Sequence, residues 1–350
     1  MAEPDSLAFA CACTEDDSGG VFAYDIDETS GRLRHLSTTP VSGPSFLTVH
    51  PNGESLYTVQ EADGVVTAFR IEGPDGELTE LNQRPSQGAD PCYVSVDPSG
   101  ECAFVANYTG GTVAMFPIES DGRLGDVADV AHHGGSSVDL ERQQGPHPHS
   151  VGPCPENRFI YVPDLGTDRV AIYEIDFDAG DLQAAETPYA DLQDGAGPRH
   201  FEFHPNGQVV YVVNELNSTL TAFDYDADTG ALTEVETVSA LPDGYDEESY
   251  ASDIHVHPSG EWAYVSNRGH DSIAIFALDG EQGELKLVDH ESTGGQWPRD
   301  FAVGLNGQYL YVENRHSDSI VVFEIDAATG ELTATNQQVE VPEPICWKFC

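Results

Sequence analysis

Basic side chains are scarce in this chain of 350 residues. It has 14 lysines and arginines against 61 aspartates and glutamates, and its formal net charge is −47. Nucleic-acid binding needs a basic face, so this composition excludes it, and it also argues against binding to anionic membranes. The acids are spread along the whole chain, and only concentrated salt would screen their mutual repulsion. The composition therefore predicts a salt-adapted protein with a solvated acidic surface.

Long apolar runs and cysteines are also scarce. No segment approaches the ~20 apolar residues that a membrane span requires. The first residues lack the basic and apolar regions of a secretion signal. The seven cysteines show no CxxC spacing, which disfavours both a disulfide scaffold and a zinc site. We therefore expect a cytoplasmic protein, and we predict no cofactor.

The sequence also shows no 3.6-residue period typical of helices, and it contains a long repeat instead. Six pairs of aromatic residues lie 12 positions apart, the first pair being Tyr57 and Phe69. A proline, or Ala251 in one unit, precedes each first aromatic by 13 positions, and these markers are spaced 47, 57, 50, 53 and 47 residues apart. Each unit contains four strand-like segments and a Gly-x-Leu turn. Repeated four-stranded units of about 40–50 residues are typical of propeller blades.

The two ends of the sequence together predict one more blade. The N-terminal segment "SLAFACAC" begins a unit that has no first strand, whereas "PICWKF" from Pro344 resembles the first strands of the other units. A ring closed by these two segments would leave no open edge between neighbouring blades. We therefore predict an all-β fold, a single seven-bladed propeller domain over residues 1–350.

Comparison between the repeats separates structural positions from positions of another kind. His204 lies in the sequence "HPNG", and the same position holds His50 and His257 in other units. A histidine that recurs beside a turn is expected to stabilise that turn, so we predict a structural role for His204.

Two other positions carry charges that a blade does not need. One follows the proline that opens the first strand, and the other follows the polar residue that ends the second strand. Both are expected at the same mouth of the central channel. The side chains predicted to meet there are His149, Arg199, Glu215, Arg268, Arg299 and Arg315. Four of twelve arginines would gather at this mouth, which predicts an anion site; ion pairs between blades are the structural alternative.

The loop before His149 lies in the longest unit and adds Arg142 and His147 to the predicted substrate-binding residues. Long loops on rigid scaffolds often carry function. Histidines in this loop suggest a metal, but no HExxH motif or paired cysteines accompany them, so we predict no metal site. The lack of GxSxG and Walker motifs disfavours serine hydrolases and nucleotide-binding proteins.

Several motifs resemble those of the propeller-type lactonases, namely "RQQGPHPHSV", "GAGPRHFEFHPNG", "YVVNELNS", "YVSNRGHDSIAIF" and "PRDFAV". That family includes bacterial 6-phosphogluconolactonases and fungal carboxymuconate lactonizing enzymes. The resemblance extends over essentially the whole chain, and it implies a seven-bladed fold without metal. It also implies catalytic roles for His149 in "GPHPHS", Arg199 in "GPRH" and Glu215 in "VNEL".

The reaction implied by the resemblance is hydrolysis of a sugar-acid lactone, with 6-phosphogluconolactone as the expected substrate. Either Glu215 or His149 would activate water, His149 would protonate the leaving ring oxygen, and Arg199 would stabilise the oxyanion. The remaining arginines of the mouth would bind a phosphate or carboxylate. A carboxy-cis,cis-muconate cycloisomerase and a non-catalytic YVTN-type binding or surface propeller are the alternatives. The expected partner is a small anionic lactone, and the protein is expected to be a monomer.

Overall fold

Seven four-stranded antiparallel sheets make up the fold, as the repeat predicts. The computed structural model describes residues 6–14, 18–280 and 283–350. The strands of the first four blades are β1 Leu7–Ala12, β2 Gly20–Asp27, β3 Arg32–Thr39, β4 Pro44–Val49, β5 Ser55–Gln60, β6 Val65–Glu72, β7 Glu77–Pro85, β8 Pro91–Val96, β9 Cys102–Asn107, β10 Thr112–Pro117, β11 Asp129–His132, β12 Gly152–Pro153, β13 Phe159–Asp164, β14 Arg169–Asp176 and β15 Asp181–Asp191. Those of the last three are β16 Pro198–Phe203, β17 Val209–Asn214, β18 Thr219–Tyr225, β19 Leu232–Ser239, β20 Tyr250–Val256, β21 Trp262–Arg268, β22 Ser272–Asp279, β23 Glu284–Ser292, β24 Pro298–Val303, β25 Tyr309–Asn314, β26 Ser319–Ile325, β27 Leu332–Glu340 and, completing blade 1, β28 Pro344–Phe349.

Ring closure joins the two ends of the chain, and this prediction is confirmed. Strand β28 pairs antiparallel with β1, so that Ala8 lies opposite Phe349 and Cys11 lies opposite Cys346. The inner strands then pack side by side around the axis, β16 on β20, β20 on β24, β24 on β28, β28 on β4 and β4 on β8. Among the described residues the one helix is a 3-10 turn, Arg315–Ser317, and no helix there is long and apolar enough to cross a membrane.

The apolar core lies between neighbouring blades, and the repeated aromatics hold it together. Tyr264 packs with Phe301 of the next blade, and its hydroxyl donates a hydrogen bond of 3.1 Å to the carbonyl of Gly330, in the Gly-x-Leu turn of that blade. Gly330 has φ +72°, and a Cβ there would lie 2.4 Å from the ring of Trp262. Only glycine combines this backbone conformation with such close packing. The repeated tyrosine of one blade and the glycine of the Gly-x-Leu turn in the next blade therefore meet in the same contact.

His204 stabilises a turn, as predicted, and it also links two blades. Its Nδ1 accepts a hydrogen bond of 3.1 Å from the backbone N–H of Asn206. Its Nε2 lies 2.8 Å from the carbonyl of Gly260 in the next blade and donates to it. His50 and His257 make the same two kinds of bond to their own turns and to the following blades.

Blade 4 departs from the repeat at its inner strand. The sequence predicts a first strand from Pro148, but the regular strand is only Gly152–Pro153, preceded by an isolated bridge from Pro148 to Asp164. Pro153 and Pro163 carry no N–H, so the hydrogen-bond ladder cannot run unbroken here. His149 lies in this irregular stretch, where its N–H donates to the carbonyl of Pro163 at 2.9 Å.

Candidate active site

A bulge near the start of the inner strands directs side chains into the channel. In β16 the pairing register shifts between Pro198 and His200, which makes Arg199 the extra residue. In β24 it shifts between Pro298 and Asp300, which makes Arg299 the extra residue. Bulges bend a strand locally and re-aim one side chain. This explains why the position after the opening proline can carry a charge without disturbing the blade.

Glu215 is the centre of a cluster of three arginines. Its Oε2 lies 2.9 Å from Nη2 of Arg268 and 3.1 Å from Nε of Arg199. Its Oε1 lies 2.6 Å from Nη2 of Arg142. Burial alone would raise the pKa of Glu215, but Arg268 and Arg199 hold it well below its usual range. A carboxylate stabilised in this way is a poor proton acceptor, so the geometry favours a positioning role for Glu215.

Arg199 is buried, with 2% of its surface exposed, and it is held from two further directions. Its Nη1 donates to the carbonyl of Ser252 and to Nε2 of His200, the latter at 3.1 Å. Burial, together with the nearby charges of Arg268 and Arg299, lowers the pKa of Arg199 to about 9. Its Nη2 makes no hydrogen bond within the part of the chain that the structure describes and is available for a ligand.

His200 fixes the orientation of Arg199 from behind. Its Nδ1 donates to Oδ1 of Asp253 at 2.7 Å, which leaves Nε2 to accept from Arg199. Burial and the charge of Arg199 lower the pKa of His200 to about 3. The ring is therefore neutral, and Asp253, His200 and Arg199 form a fixed chain of hydrogen bonds.

His149 lies beside this chain as a neutral imidazole. Its ring meets those of Tyr108 and His200 edge-on, at centroid distances of 5.5 and 5.4 Å. Burial and the charge of Arg199 bring the pKa of His149 well below its usual value. Its Nδ1 is buried and has no hydrogen-bond partner among the described residues. A neutral ring with an unpaired nitrogen can accept a proton during a reaction.

The long loop before His149 folds over the site and is tied down by a buried glutamine. Gln143 donates to the carbonyl of Leu165 and to Oδ1 of Asp168, at 2.8 and 2.7 Å. This anchor positions Arg142 on Glu215. His147 stacks on the ring of Tyr108 at 4.4 Å, and its Nδ1 lies 3.0 Å from the backbone carbonyl of that residue.

The two remaining predicted arginines, Arg299 and Arg315, differ in their partners. Arg299 makes no ion pair or hydrogen bond with any described residue, although it is close enough to help lower the pKa values of Arg199 and Arg268, after burial. Arg315 instead binds Oε2 of Glu343, through Nη2 at 2.9 Å and Nε at 3.2 Å. It lines a cavity of 960 Å³ that is also bordered by Cys13 and Glu61. The ion pair of Arg315 with Glu343 was not predicted, and ligand binding by Arg315 stays a prediction.

Two aromatic residues of the site were missed. The ring of Tyr250 lies 5.8 Å from the guanidinium of Arg142 and 5.9 Å from that of Arg268, and the ring of Trp297 lies 5.6 Å from that of Arg268. Tyr250 is the first residue of β20, and Trp297 immediately precedes β24; each lies one position before the repeat marker of its unit, Ala251 or Pro298. Asp253 was missed as well, although it lies two positions after such a residue, as His200 does.

The family follows from comparison with known proteins. Residues 8–349 match the model of the family described as lactonase, 7-bladed beta-propeller. The chain therefore belongs to the seven-bladed β-propeller lactonases, which are carboxylic ester hydrolases.

Individual relatives match over about four fifths of their length or more. The chain is 37% identical to the 6-phosphogluconolactonase of Bacillus subtilis over 346 residues, which are 98% of each chain. It is 33% identical to the 6-phosphogluconolactonase of Formosa agariphila, over 81% of this chain and 82% of that one. Among solved structures, the periplasmic gluconolactonase of Pseudomonas aeruginosa superposes with a TM-score of 0.93 at 32% identity, over 98% of each chain.

Proposed function

We propose that this protein hydrolyses 6-phosphogluconolactone to 6-phosphogluconate in the channel mouth formed by His149, Arg199, Glu215 and Arg268. The observation that carries the proposal is the unpaired guanidinium of Arg299 beside this cluster. In a protein with a net charge of −47, an arginine that finds no carboxylate among the described residues is available for an anionic ligand. Arginine binds phosphate through two parallel hydrogen bonds. The names of the relatives from Bacillus subtilis and Formosa agariphila also support this substrate.

His149 is the general base of the proposed reaction. Its buried Nδ1 has no hydrogen-bond partner among the described residues and is free to take a proton, whereas Glu215 is committed to three arginines. A water molecule adds to the ring carbonyl carbon and gives a proton to His149, and the carbonyl π pair moves onto the oxygen. Arg199, whose Nη2 is available, stabilises the resulting oxyanion.

Collapse of the tetrahedral intermediate completes the proposed hydrolysis. The oxyanion pair re-forms the carbonyl, the bond between that carbon and the ring oxygen breaks, and His149 returns its proton to the ring oxygen. The product is an open-chain acid with a new hydroxyl group. Glu215 and Asp253 touch no reacting atom in this scheme; they position Arg199 directly and through His200.

Substrate comparison tests the proposal. Rates of hydrolysis of 6-phosphogluconolactone, gluconolactone and a carboxymuconolactone are measured in molar KCl, with spontaneous hydrolysis subtracted. We expect the highest kcat/KM for the phosphorylated lactone. Arg299→Ala is expected to raise the KM for that substrate and to leave gluconolactone nearly unaffected, because only the first carries the anion.

Arg315→Ala is the matched control, since that arginine already has Glu343 as its partner. Equal effects of Arg299→Ala on both lactones would contradict the proposed phosphate site. Activity confined to the carboxymuconolactone would favour the cycloisomerase, and no turnover of any of the three would favour the non-catalytic binding propeller.

We also propose that the protein works as a cytoplasmic, salt-adapted monomer. All seven cysteines are free thiols, which persist in a reducing compartment. The 61 acidic residues repel one another less when salt screens them. The melting temperature should therefore rise between millimolar and molar KCl, and an unchanged value would contradict the salt adaptation.

A further inference from the structure

Further along the channel from the arginines lies a second cluster of ionisable groups, which consists mainly of carboxylates. Asp253 and Asp300 lie two positions after the residues that open their inner strands, and His255 and Lys348 lie four positions after. Side chains two apart on a strand point to the same face, so these positions form successive levels along the axis. The nearest ligand atoms of Asp253, His255 and Asp300 lie within 4.8 Å of one another.

We propose that Asp253, His255 and Asp300, together with Glu313, form a binding site for a divalent cation of the Mn²⁺ or Zn²⁺ type on the propeller axis. This departs from the absence of a metal site that the sequence motifs predicted. A metal ion holds imidazole and carboxylate ligands at about 2.1 Å, and therefore no more than about 4.2 Å from one another. The observed spacing needs only a small inward movement of the side chains.

The surroundings of the two ring nitrogens of His255 have the pattern of a metal-binding histidine. Its Nδ1 lies 2.9 Å from Oε2 of Glu202, in an ion-pair contact. Its Nε2 faces Oδ2 of Asp253 at 3.2 Å, and neither atom has a hydrogen-bond partner of proper geometry among the described residues. Metal-binding histidines commonly donate one N–H to a carboxylate and present the other nitrogen to the metal. The mixture of nitrogen and carboxylate ligands suits Mn²⁺ or Zn²⁺.

Glu313 is an independent sign that a cation is needed. It is fully buried, and both of its carboxylate oxygens lack a hydrogen-bond partner in the described part of the chain. In the sheet it lies directly opposite Asp300, and like charges in such pairs are destabilising. A bound cation would remove this conflict.

Lys348 neutralises only part of the cluster. Its Nζ lies 3.6 Å from Oδ2 of Asp300 and 4.9 Å from the ring centroid of Phe46. The carboxylates of Glu202, Asp253, Asp300 and Glu313 face one lysine and one imidazole. One divalent ion beside Lys348 would bring these charges close to balance, and buried charges require such compensation.

Direct metal binding tests the proposal. The full chain is treated with chelator, returned to molar KCl so that surface acids are screened, and titrated with MnCl₂, with bound and free Mn²⁺ distinguished by electron paramagnetic resonance. We expect one saturable site per chain. His255→Gln and Asp300→Asn are each expected to weaken binding at least 10-fold.

His257→Gln is the matched control, because this histidine comes from the same blade but bonds to the turn and to Gly307; its Mn²⁺ affinity should equal that of the parent protein. Circular dichroism establishes that each variant is folded. If one ligand variant does not fold, the other still tests the proposal. Absence of saturable binding up to millimolar Mn²⁺ and Zn²⁺ would overturn the proposal. Unchanged affinity in a folded ligand variant would do the same.

Discussion

Two groups of three histidines in this propeller have different roles. The turn histidines are His50, His204 and His257, and the channel histidines are His149, His200 and His255. Each turn histidine bonds to two backbone groups, one in its own turn and one in the next blade. The channel histidines lie among charged side chains from several blades.

The difference shows why repetition and irregularity carry separate information. A backbone carbonyl is available at the same place in every blade, so a turn histidine works wherever the turn recurs. A channel histidine needs a particular neighbour, as His200 needs Asp253 and Arg199, and those neighbours occur once. Recurrence therefore indicates a structural role, and a break in the pattern indicates chemistry.

The largest expected effect is loss of turnover in the channel. His149→Ala and Arg199→Ala should each fold normally and lower kcat/KM at least ~100-fold, because each removes a proton acceptor or an oxyanion donor. The double variant should lose much less than the product of the two effects, since the residues act together. Progress curves with spontaneous hydrolysis subtracted provide the measurement. A folded His149→Ala variant with near-parental turnover would remove the distinction between the two groups of histidines.

Little effect is expected from pH. Burial lowers the pKa of Arg199, but a guanidinium paired with Glu215 keeps its charge across the assay range, so kcat/KM should stay level above pH 7. His149 has a pKa well below its usual value and stays a neutral base as pH falls through 6.5, so no decline is expected there. Rates corrected for hydroxide-catalysed hydrolysis give the profile. A decline between pH 7 and 6 would mean that His149 titrates like an exposed histidine.

The smallest effect is expected at the turns. His204→Ala loses one bond to its own turn and one to Gly260, which should lower the free energy of unfolding by ~1–2 kcal/mol. The kcat/KM should stay at the parental value. Denaturant unfolding in molar KCl measures the stability change, with His257→Ala as a second case of the same contact. Loss of activity without loss of stability in His204→Ala would show that the repeat had been misinterpreted.

Much of the fold could be predicted from the sequence because its signals are local and repeated. The aromatic spacing and the Gly-x-Leu turn recur in similar surroundings, and the closing strand resembles the first strands of the other blades. The short inner strand of blade 4 was not predicted, because two prolines, Pro153 on β12 and Pro163 on β13, each remove a backbone N–H from the ladder. The sequence also identified the position after the opening proline as unusual, and the bulges of β16 and β24 lie there, at Arg199 and Arg299.

Partners in the channel could not be predicted in the same way. Arg315 binds Glu343, which lies outside the repeated frame. Glu215 binds Arg142 from the irregular long loop. Asp253, His255 and Asp300 come together on the axis only once the bulges have set which side chains face it. These contacts depend on three-dimensional distances that no spacing along the chain encodes.

The pairing of β28 with β1 has a consequence for how the protein folds. Ala8 and Phe349 are neighbours in the finished sheet, although nearly the whole chain separates them. Blade 1 must therefore wait, with one edge unpaired, until synthesis has passed Phe349, and contacts of such long range slow folding. We propose that residues 1–350 fold as one domain in which the closing strand joins last. Until it does, the buried face of β1 is open to pairing with other chains, so the period between synthesis and closure is when aggregation is most probable.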